Sequence, residues 1–415
     1  MSTRGIHLNE TIDAGEEVRI RPYPWIHVIF LSLILLGFAG CSAMLPKTPA
    51  FSHGTFPADE PVSYRSYLAD ASGEYAVDRY GLRAGDETDR YVIHISVDGL
   101  RPDAITEQSP DELPNFYRLR SEGAFTDNAR TDTDYINTLP NHIAQLTGRP
   151  VLGEKGHNWT TNGEPGDATL HTRKGEYVTS IFDVVESASL RSGVYVSKPK
   201  LALFKESYDG VAADAGYASG DSLNGNIDRF VYDSDSEDLV QRMVRELQSD
   251  PTAFTFLHIR DPDSKGHLWS WSLISWSPYM RAVRRVDRML GYVLDGIEAD
   301  PQLAGNTVVI VTADHGGKGW GHGSKTRPED YTIPFYVWGA EVAAGDLYEI
   351  NRLSRRDPGV EHPGFDADLQ PIRNSDAANL AASLLGLHQI PGSVVNAEAD
   401  LEVLAPVQYV TDAIE

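Results

Sequence analysis

The chain has 415 residues, of which 41% are hydrophobic and 23% are charged, which predicts one large domain or two ordinary ones and excludes wholesale disorder. The 60 acidic residues outnumber the 36 basic ones, and the net charge of -24 argues against a protein that holds nucleic acid through phosphate contacts. The single cysteine, Cys41, excludes a disulfide framework and cysteine-rich zinc sites.

Residues 25–45 form an apolar segment, WIHVIFLSLILLGFAGCSAML, that follows Arg19 and Arg21. A basic flank, an apolar core and then small residues are typical of a secretory signal. The motif FAGCS resembles a bacterial lipoprotein signal, in which Cys41 would be lipidated and become the new N-terminus. The alternative is an uncleaved anchor, because about 20 apolar residues suffice to cross a bilayer. Both interpretations predict an exported, membrane-attached protein, which as a lipoprotein would lie on the periplasmic side of a bacterial membrane.

The predicted organisation is a leader over residues 1–41, a tether over 42–61 and one domain over 62–415. Short β-branched runs predict buried strands, and segments with apolar residues at helical spacing predict helices. The predicted strands are 91–97, 193–196, 253–259, 307–312 and 333–338, the helices are 113–122, 180–189, 237–248, 278–297 and 376–385, and 346–375 is a loop. This alternation favours an α/β three-layer sandwich, with a mostly parallel central sheet and helices on both faces.

Acidic and imidazole side chains follow three of the predicted strands. They are Asp98 after the first strand, Asp263 and His267 after the third, and Asp314, His315 and His322 after the fourth. A single aspartate after a strand is commonly a turn or cap residue. Three such strand ends together favour a metal site, because ligands bind beyond the carboxyl ends of parallel strands and zinc accepts carboxylate and imidazole ligands.

Residues 137–148, NTLPNHIAQLTG, predict a helix that begins near Pro140, with Thr138 beside its N-terminus. The unpaired N–H groups and the positive end of the helix dipole favour an anion at this position. On this motif alone Thr138 is more simply a helix cap, so a catalytic role depends on the motifs around it.

Five motifs, VDGLRPD, NTLPNH, PDSKGH, TADHGG and GHGS, occur in the order and at about the separations of the alkaline phosphatase superfamily. The chain resembles its threonine-nucleophile branch, the type I phosphodiesterases and nucleotide pyrophosphatases, over about residues 91–340. The resemblance implies two zinc ions and Thr138 as the nucleophile. The implied ligands are Asp98, Asp314, His315 and Thr138 Oγ for one ion, and Asp263, His267 and a third histidine, His322 or alternatively His362, for the other.

The resemblance also implies a phosphate-ester substrate, such as a nucleotide, a diester or a monoester, that is hydrolysed through a phospho-threonine intermediate. Asn158 resembles the phosphate-binding asparagine of the family, with a surface-loop residue as the alternative. Lys198 and Lys200 resemble a lysine pair that binds dianionic groups, with two solvated lysines around a turn as the alternative. The backbone amides of Thr138 and Leu139 are further predicted phosphate donors. A metal-binding lipoprotein of the same fold without catalysis is the alternative function, and the sequence leaves the oligomeric state open.

Overall fold

The computed structural model describes residues 90–208 and 225–406. The predicted leader, the lipidated Cys41, the tether and the predicted domain boundary at residue 62 lie outside these described residues and stay predictions. Within the described ranges no helix combines the length and the apolar character that crossing a bilayer requires.

The described residues form one sheet of eight strands. The strands are β1 (Tyr91–Val97), β2 (Ala124–Arg130), β3 (Ser192–Val196), β4 (Arg229–Tyr232), β5 (Phe254–Ile259), β6 (Thr307–Thr312), β7 (Thr332–Gly339) and β8 (Gly345–Asp346). Their order across the sheet is β4-β3-β5-β1-β6-β7-β2-β8. Every neighbouring pair is parallel except the two pairs that include β7. The predicted mostly parallel α/β fold is therefore confirmed.

The same ranges contain twelve α-helices. They are α1 (Asp103–Thr106), α2 (Pro114–Glu122), α3 (Thr138–Thr147), α4 (Leu170–Lys174), α5 (Ile181–Ser187), α6 (Leu203–Tyr208), α7 (Ser236–Ser249), α8 (Asp261–Trp269), α9 (Pro278–Glu298), α10 (Pro328–Tyr331), α11 (Leu347–Ile350) and α12 (Asp376–Leu384). Helices α2, α7 and α8 pack on α9, while α3 and α5 pack on α12. Strand β1 is buried along its whole length, as expected for a strand that is covered on both faces.

Three strands, β2, β4 and β8, were not predicted from the sequence. They lie at or near the edges of the sheet, where part of each strand remains accessible to water. Strand β2 reads AFTDNAR and carries polar residues in its middle, so it lacks the continuous apolar pattern of a central strand. Residues 346–375, predicted as a loop, contain the single-turn helix α11.

Helix α2 depends on a side chain from another helix at its N-terminus. Its own N-cap residue, Leu113, has no side-chain acceptor. The buried carboxylate of Asp287 in α9 accepts hydrogen bonds from the backbone N–H groups of Asn115 at 3.0 Å and Phe116 at 2.9 Å. Its second oxygen accepts from Asn115 Nδ2 at 3.0 Å. Asp287 thus satisfies the free amides of α2 and joins the two helices.

We expect Asp287→Ala to lower the free energy of unfolding by about 1–3 kcal/mol, because the N-terminal amides of α2 lose their acceptor in a buried setting. Asp287→Asn keeps one acceptor oxygen and should cost less. Asp295→Ala, which alters an exposed residue of the same helix, is the control and should change the free energy by less than about 0.5 kcal/mol. Urea unfolding measures all three. Equal stability of Asp287→Ala and Asp295→Ala would contradict the role of Asp287 as the acceptor for the N-terminal amides of α2.

Candidate active site

Three aspartates come together because β5, β1 and β6 are parallel neighbours in the sheet. Asp98 follows β1, Asp263 lies in the first turn of α8 directly after β5, and Asp314 follows β6. Gly99 allows the close approach of the first two: its φ is +72°, and a Cβ there would lie 2.8 Å from Asp263 Cα. The N–H of Asp263 donates to the carbonyl oxygen of Asp98 at 3.0 Å.

One oxygen of each carboxylate is held by the protein. Asp98 Oδ2 accepts from His258 Nε2 at 2.9 Å and contacts Lys198 Nζ at 2.7 Å, and the same ammonium donates to Asp263 Oδ2 at 2.6 Å. Asp314 Oδ1 accepts from the backbone N–H groups of Gly99 at 3.1 Å and His315 at 2.9 Å. These bonds fix the direction of all three carboxylates.

The other oxygen of each carboxylate is buried without a hydrogen-bond partner among the described residues. These atoms are Asp98 Oδ1, Asp263 Oδ1 and Asp314 Oδ2. A buried carboxylate oxygen without a donor is costly, because folding removes its water and returns nothing. Three such atoms in one site call for a cation.

Two imidazoles present lone pairs to these oxygens. His315 Nδ1 lies 2.8 Å from the carbonyl oxygen of Gly316, and His322 Nδ1 lies 2.9 Å from that of Ile136. A carbonyl only accepts, so Nδ1 carries the proton in both rings and Nε2 keeps its lone pair. His315 Nε2 is 3.2 Å from Asp314 Oδ2, and His322 Nε2 is 3.8 Å from Asp263 Oδ1. Burial is the main reason that the pKa of His322 is lowered to about 3 and that of His315 below its ordinary value, so both rings are neutral at pH 7.

Ligand atoms of the aspartates and histidines cluster in two groups, each within 4.8 Å. One group consists of Asp98, Asp314 and His315. These three residues, together with Thr138, are the ligands that the sequence predicts for the first zinc ion. The other group consists of Asp263, His322 and His315. It contains His315 in place of His267, which the sequence predicts as a ligand of the second ion. The His267 ring lies nearby, with Nε2 at 3.2 Å from Asp263 Oδ1, and its side chain is 47% exposed. The contact with Asp263 raises the pKa of His267.

The site is short of positive charge. Burial favours neutral Asp98, but Lys198 and His258 outweigh it and hold the pKa of Asp98 well below its ordinary value. Burial and the neighbouring Asp98 raise the pKa of Asp314 well above its ordinary value. Burial opposes the ammonium form of Lys198, but Asp98 and Asp263 raise its pKa above that of a free lysine. One ammonium therefore serves three carboxylates.

Thr138 opens helix α3 beside the first metal-ligand group. Its Oγ1 lies 3.3 Å from His315 Nε2. The helix begins at Thr138, two residues before the Pro140 that the sequence favours. Pro140 fits there without strain, because the first N–H groups of a helix have no intrahelical acceptor and a missing one costs nothing. The hydroxyl thus lies at the positive end of the helix dipole.

Asn162 is a site residue that the sequence reasoning missed. Its Oδ1 accepts from the N–H of Leu139 at 2.9 Å and from Lys200 Nζ at 2.9 Å. Two donors on Oδ1 fix the amide orientation and direct Nδ2 away from them. The Leu139 amide, predicted to bind phosphate, is therefore engaged by Asn162. The backbone N–H of Asn158 donates to Val151, and the positive φ of Asn158 suits a turn.

Other histidines take different places. His258, which the sequence reasoning passed over, lies inside β5, and an imidazole in an otherwise apolar strand just before an Asp-rich turn was its only signal. His142 is buried between Thr138 O and Ser96 Oγ. His362, the alternative ligand, lies 3.2 Å from Thr131 O and stacks on Tyr331, outside both ligand groups.

Curated relatives align with most of this chain. GPI ethanolamine phosphate transferase 1 of Aspergillus fumigatus is 25% identical over 394 residues, which cover 85% of this chain and 36% of that protein. The Aspergillus oryzae enzyme of that name is 26% identical over 340 residues, 72% of this chain and 32% of the relative. The chain thus spans about a third of the length of these curated relatives.

Two solved structures share the fold. Murine ectonucleotide pyrophosphatase/phosphodiesterase 5, in an inactive form with AMP, aligns with a TM-score of 0.51 and 16% identity over 73% of this chain and 96% of that one. A protein in the alkaline phosphatase superfamily from Vibrio parahaemolyticus aligns with a TM-score of 0.50 and 14% identity over 76% of this chain and 70% of that one.

The family model supplies the assignment. The model described as type I phosphodiesterase / nucleotide pyrophosphatase matches residues 92–325, more than half of the chain. That range includes every aspartate and histidine of the two ligand groups, as well as Thr138 and Asn162. The chain belongs to the type I phosphodiesterase / nucleotide pyrophosphatase family.

Proposed function

We propose that the protein cleaves phosphate esters with two bound zinc ions and Thr138 as the nucleophile. The observation that carries this proposal is the set of three buried carboxylate oxygens without a donor, which face imidazole lone pairs. The acceptors outnumber the possible donors at this position, which are the Thr138 hydroxyl beside His315 and the His267 ring beside Asp263, so a cation satisfies the acceptors together. Carboxylate oxygen and imidazole nitrogen are the ligands expected of a zinc site that keeps positions open for substrate.

The residues fit two ions. Asp98, Asp314 and His315 would hold the first. Asp263, His322 and His267 would hold the second, and the half-exposed His267 already contacts Asp263 through Nε2. Lys198 does not compete, because it binds the Oδ2 atoms of Asp98 and Asp263 and leaves both Oδ1 atoms free. Divalent ions at these residues would polarise the phosphoryl oxygens and neutralise charge.

Thr138 is placed to form a covalent intermediate. Its Oγ would attack phosphorus as its proton passes to water, and the bond from phosphorus to the ester oxygen would break. The departing oxygen takes a proton from water and leaves as an alcohol. A water molecule then attacks the phosphorus of phospho-Thr138, which frees the threonine and releases the phosphate product. The N-terminus of α3 stabilises negative charge on the oxygens of the transferred group.

Lys200 and Asn162 are the proposed phosphate ligands of the chain. Lys198 already pairs with two carboxylates, whereas among the described residues the Lys200 ammonium binds the side-chain and backbone oxygens of Asn162 and forms no ion pair. Burial and the charge of Lys198 lower the pKa of Lys200. Nδ2 of Asn162 would add a neutral donor. We therefore favour Asn162 over Asn158 as the phosphate-binding asparagine.

A second candidate is transfer of a phosphoethanolamine group to an alcohol. It is supported by the match to GPI ethanolamine phosphate transferases over 85% of this chain. The covalent step is the same, and an alcohol oxygen replaces water in the step that frees Thr138. The two candidates therefore differ only in the acceptor.

We expect Thr138→Ala to lower turnover of phosphate esters by about 10³-fold or more, because the covalent step is lost. Thr138→Ser keeps a hydroxyl and should retain measurable turnover. The assay compares p-nitrophenyl phosphate, bis-p-nitrophenyl phosphate and the p-nitrophenyl ester of thymidine monophosphate. Release of product without any alcohol acceptor supports hydrolysis, and a strict need for an alcohol supports transfer. Full activity of Thr138→Ala would remove Thr138 from the mechanism.

We expect Asn162→Ala to lower kcat/KM by about 10²-fold, the usual loss for a donor to a transferring group. Asn158→Gly is the matched control, since glycine tolerates the positive φ of that position, and it should stay within about threefold of the unmodified protein. Steady-state kinetics on the substrate with the highest turnover measures both. A larger loss of kcat/KM in Asn158→Gly than in Asn162→Ala would instead indicate Asn158 as the phosphate ligand.

A further inference from the structure

Large apolar side chains lie exposed at one end of helices α8 and α9. We call this set the aromatic rim; its members are Leu268 (63% exposed), Trp269 (59%), Ile274 (53%), Trp276 (74%) and Trp320 (67%). The other tryptophans of the described residues, Trp159, Trp271 and Trp338, are at most 7% exposed. Exposed tryptophans grouped on one surface mark a site that contacts something other than bulk water.

The rim is one continuous surface, although its members come from separate segments. The N–H of the buried Trp271 donates to Gly319 O at 2.8 Å, which fixes the loop with Trp320 against the segment from Leu268 to Trp276. Trp269 and Arg281 line one groove, and the Arg281 guanidinium donates to Trp276 O. These contacts hold the exposed side chains on a rigid base.

The rim borders the candidate active site. His267 immediately precedes Leu268 in α8, its ring centre lies 5.0 Å from that of Trp271, and it contacts the backbone of Trp320. A surface that binds the rim therefore lies beside the half-exposed edge of the second ligand group.

The charges around the rim differ from those of the chain as a whole. Lys265 and Arg281 are exposed and have no acidic partner among the described residues. Two other arginines of α9 bind acids: Arg285 binds Asp235, Glu237 and Asp261, and Arg284 lies 3.9 Å from Glu112. Arg288, further along α9, donates to the backbone oxygen of Arg284. On a chain with a net charge of -24, two unpaired cations beside exposed tryptophans match the interface of a phospholipid bilayer.

We propose that the aromatic rim docks on a phospholipid membrane, with the tryptophans at the depth of the headgroups and upper acyl chains, and Lys265 and Arg281 at the lipid phosphates. The apolar segment 25–45 supports this choice over a protein partner, because it predicts attachment to a membrane.

Docking would turn the candidate site towards phosphate esters at the membrane surface, such as lipid headgroups. The inference does not depend on the proposed chemistry, because it follows from exposed side chains and unpaired cations. The Thr138→Ala variant should dock like the unmodified protein. A failure of the docking proposal can therefore be distinguished from a failure of the proposed phosphate-ester chemistry.

Quenching of tryptophan fluorescence by brominated lipids tests the docking. The full chain, with Trp25→Phe to silence the apolar segment, is placed in phosphatidylcholine vesicles with and without dibrominated acyl chains. We expect brominated lipids to quench the fluorescence. The added triple change Trp269→Phe, Trp276→Phe and Trp320→Phe should remove most of this quenching, because the remaining tryptophans are buried. Phenylalanine keeps the rim apolar and preserves the fold, which circular dichroism verifies.

A tryptophan elsewhere on the surface supplies the control. Tyr292 is 42% exposed on α9, 14 residues after Pro278 and thus about 21 Å along the helix from the rim. Tyr292→Trp, added to the triple variant, should not restore quenching. Quenching that persists in the triple variant, or returns with Tyr292→Trp, would overturn the proposed docking. A third result would also overturn the proposal: no quenching in the unmodified rim, together with self-association of the chain that the triple variant abolishes. In that case the rim would bind a second copy of the chain.

Discussion

The organisation of the site depends on one electrostatic constraint: buried acceptors converge where few donors are available. Asp98, Asp263 and Asp314 each use one oxygen for internal bonds and leave the other without a partner, while His315 and His322 add lone pairs. Lys198 supplies a single positive charge. The arrangement is unfavourable without further cations, and that cost is the physical basis for assigning a metal centre.

The fold brings these acceptors together because the strands that precede the three aspartates are parallel neighbours in the sheet. Adjacent strands β5, β1 and β6 deliver three aspartates to one edge of the sheet, and Gly99 lets the backbone of α8 approach Asp98 within van der Waals contact. The same edge carries Thr138 at the start of α3 and, at the end of α8, the aromatic rim. The chain's net charge of -24 therefore says little about its substrate, because the two proposed divalent ions, together with Lys200, would make the site locally positive.

The central strands and the meeting of the Asp and His side chains were predictable because each strand is encoded locally, as an apolar run that ends in a short Asp- or His-containing motif. Strand β2, which lies between β7 and the edge strand β8, was not predictable, since its sequence lacks apolar periodicity and its pairing with β7 depends on the tertiary fold. Asn162 was missed because its contact with the Leu139 amide depends on the loop between them, whereas Asn158 lies within one position of the family's usual spacing. The sharing of His315 between two ligand groups likewise follows from side-chain packing, which spacing does not report.

Metal content of the purified protein tests the central claim most directly. Elemental analysis after dialysis should find two zinc ions per chain, and a chelator should remove them, lower the unfolding temperature and abolish phosphate-ester cleavage. Binding at 100 times Kd contributes about 2.7 kcal/mol per site to stability, so the temperature shift should be readily measured. Asp314→Asn should lower the zinc content. A protein that cleaves phosphate esters at full rate without any divalent ion, or one whose activity only manganese or calcium restores, would contradict the account.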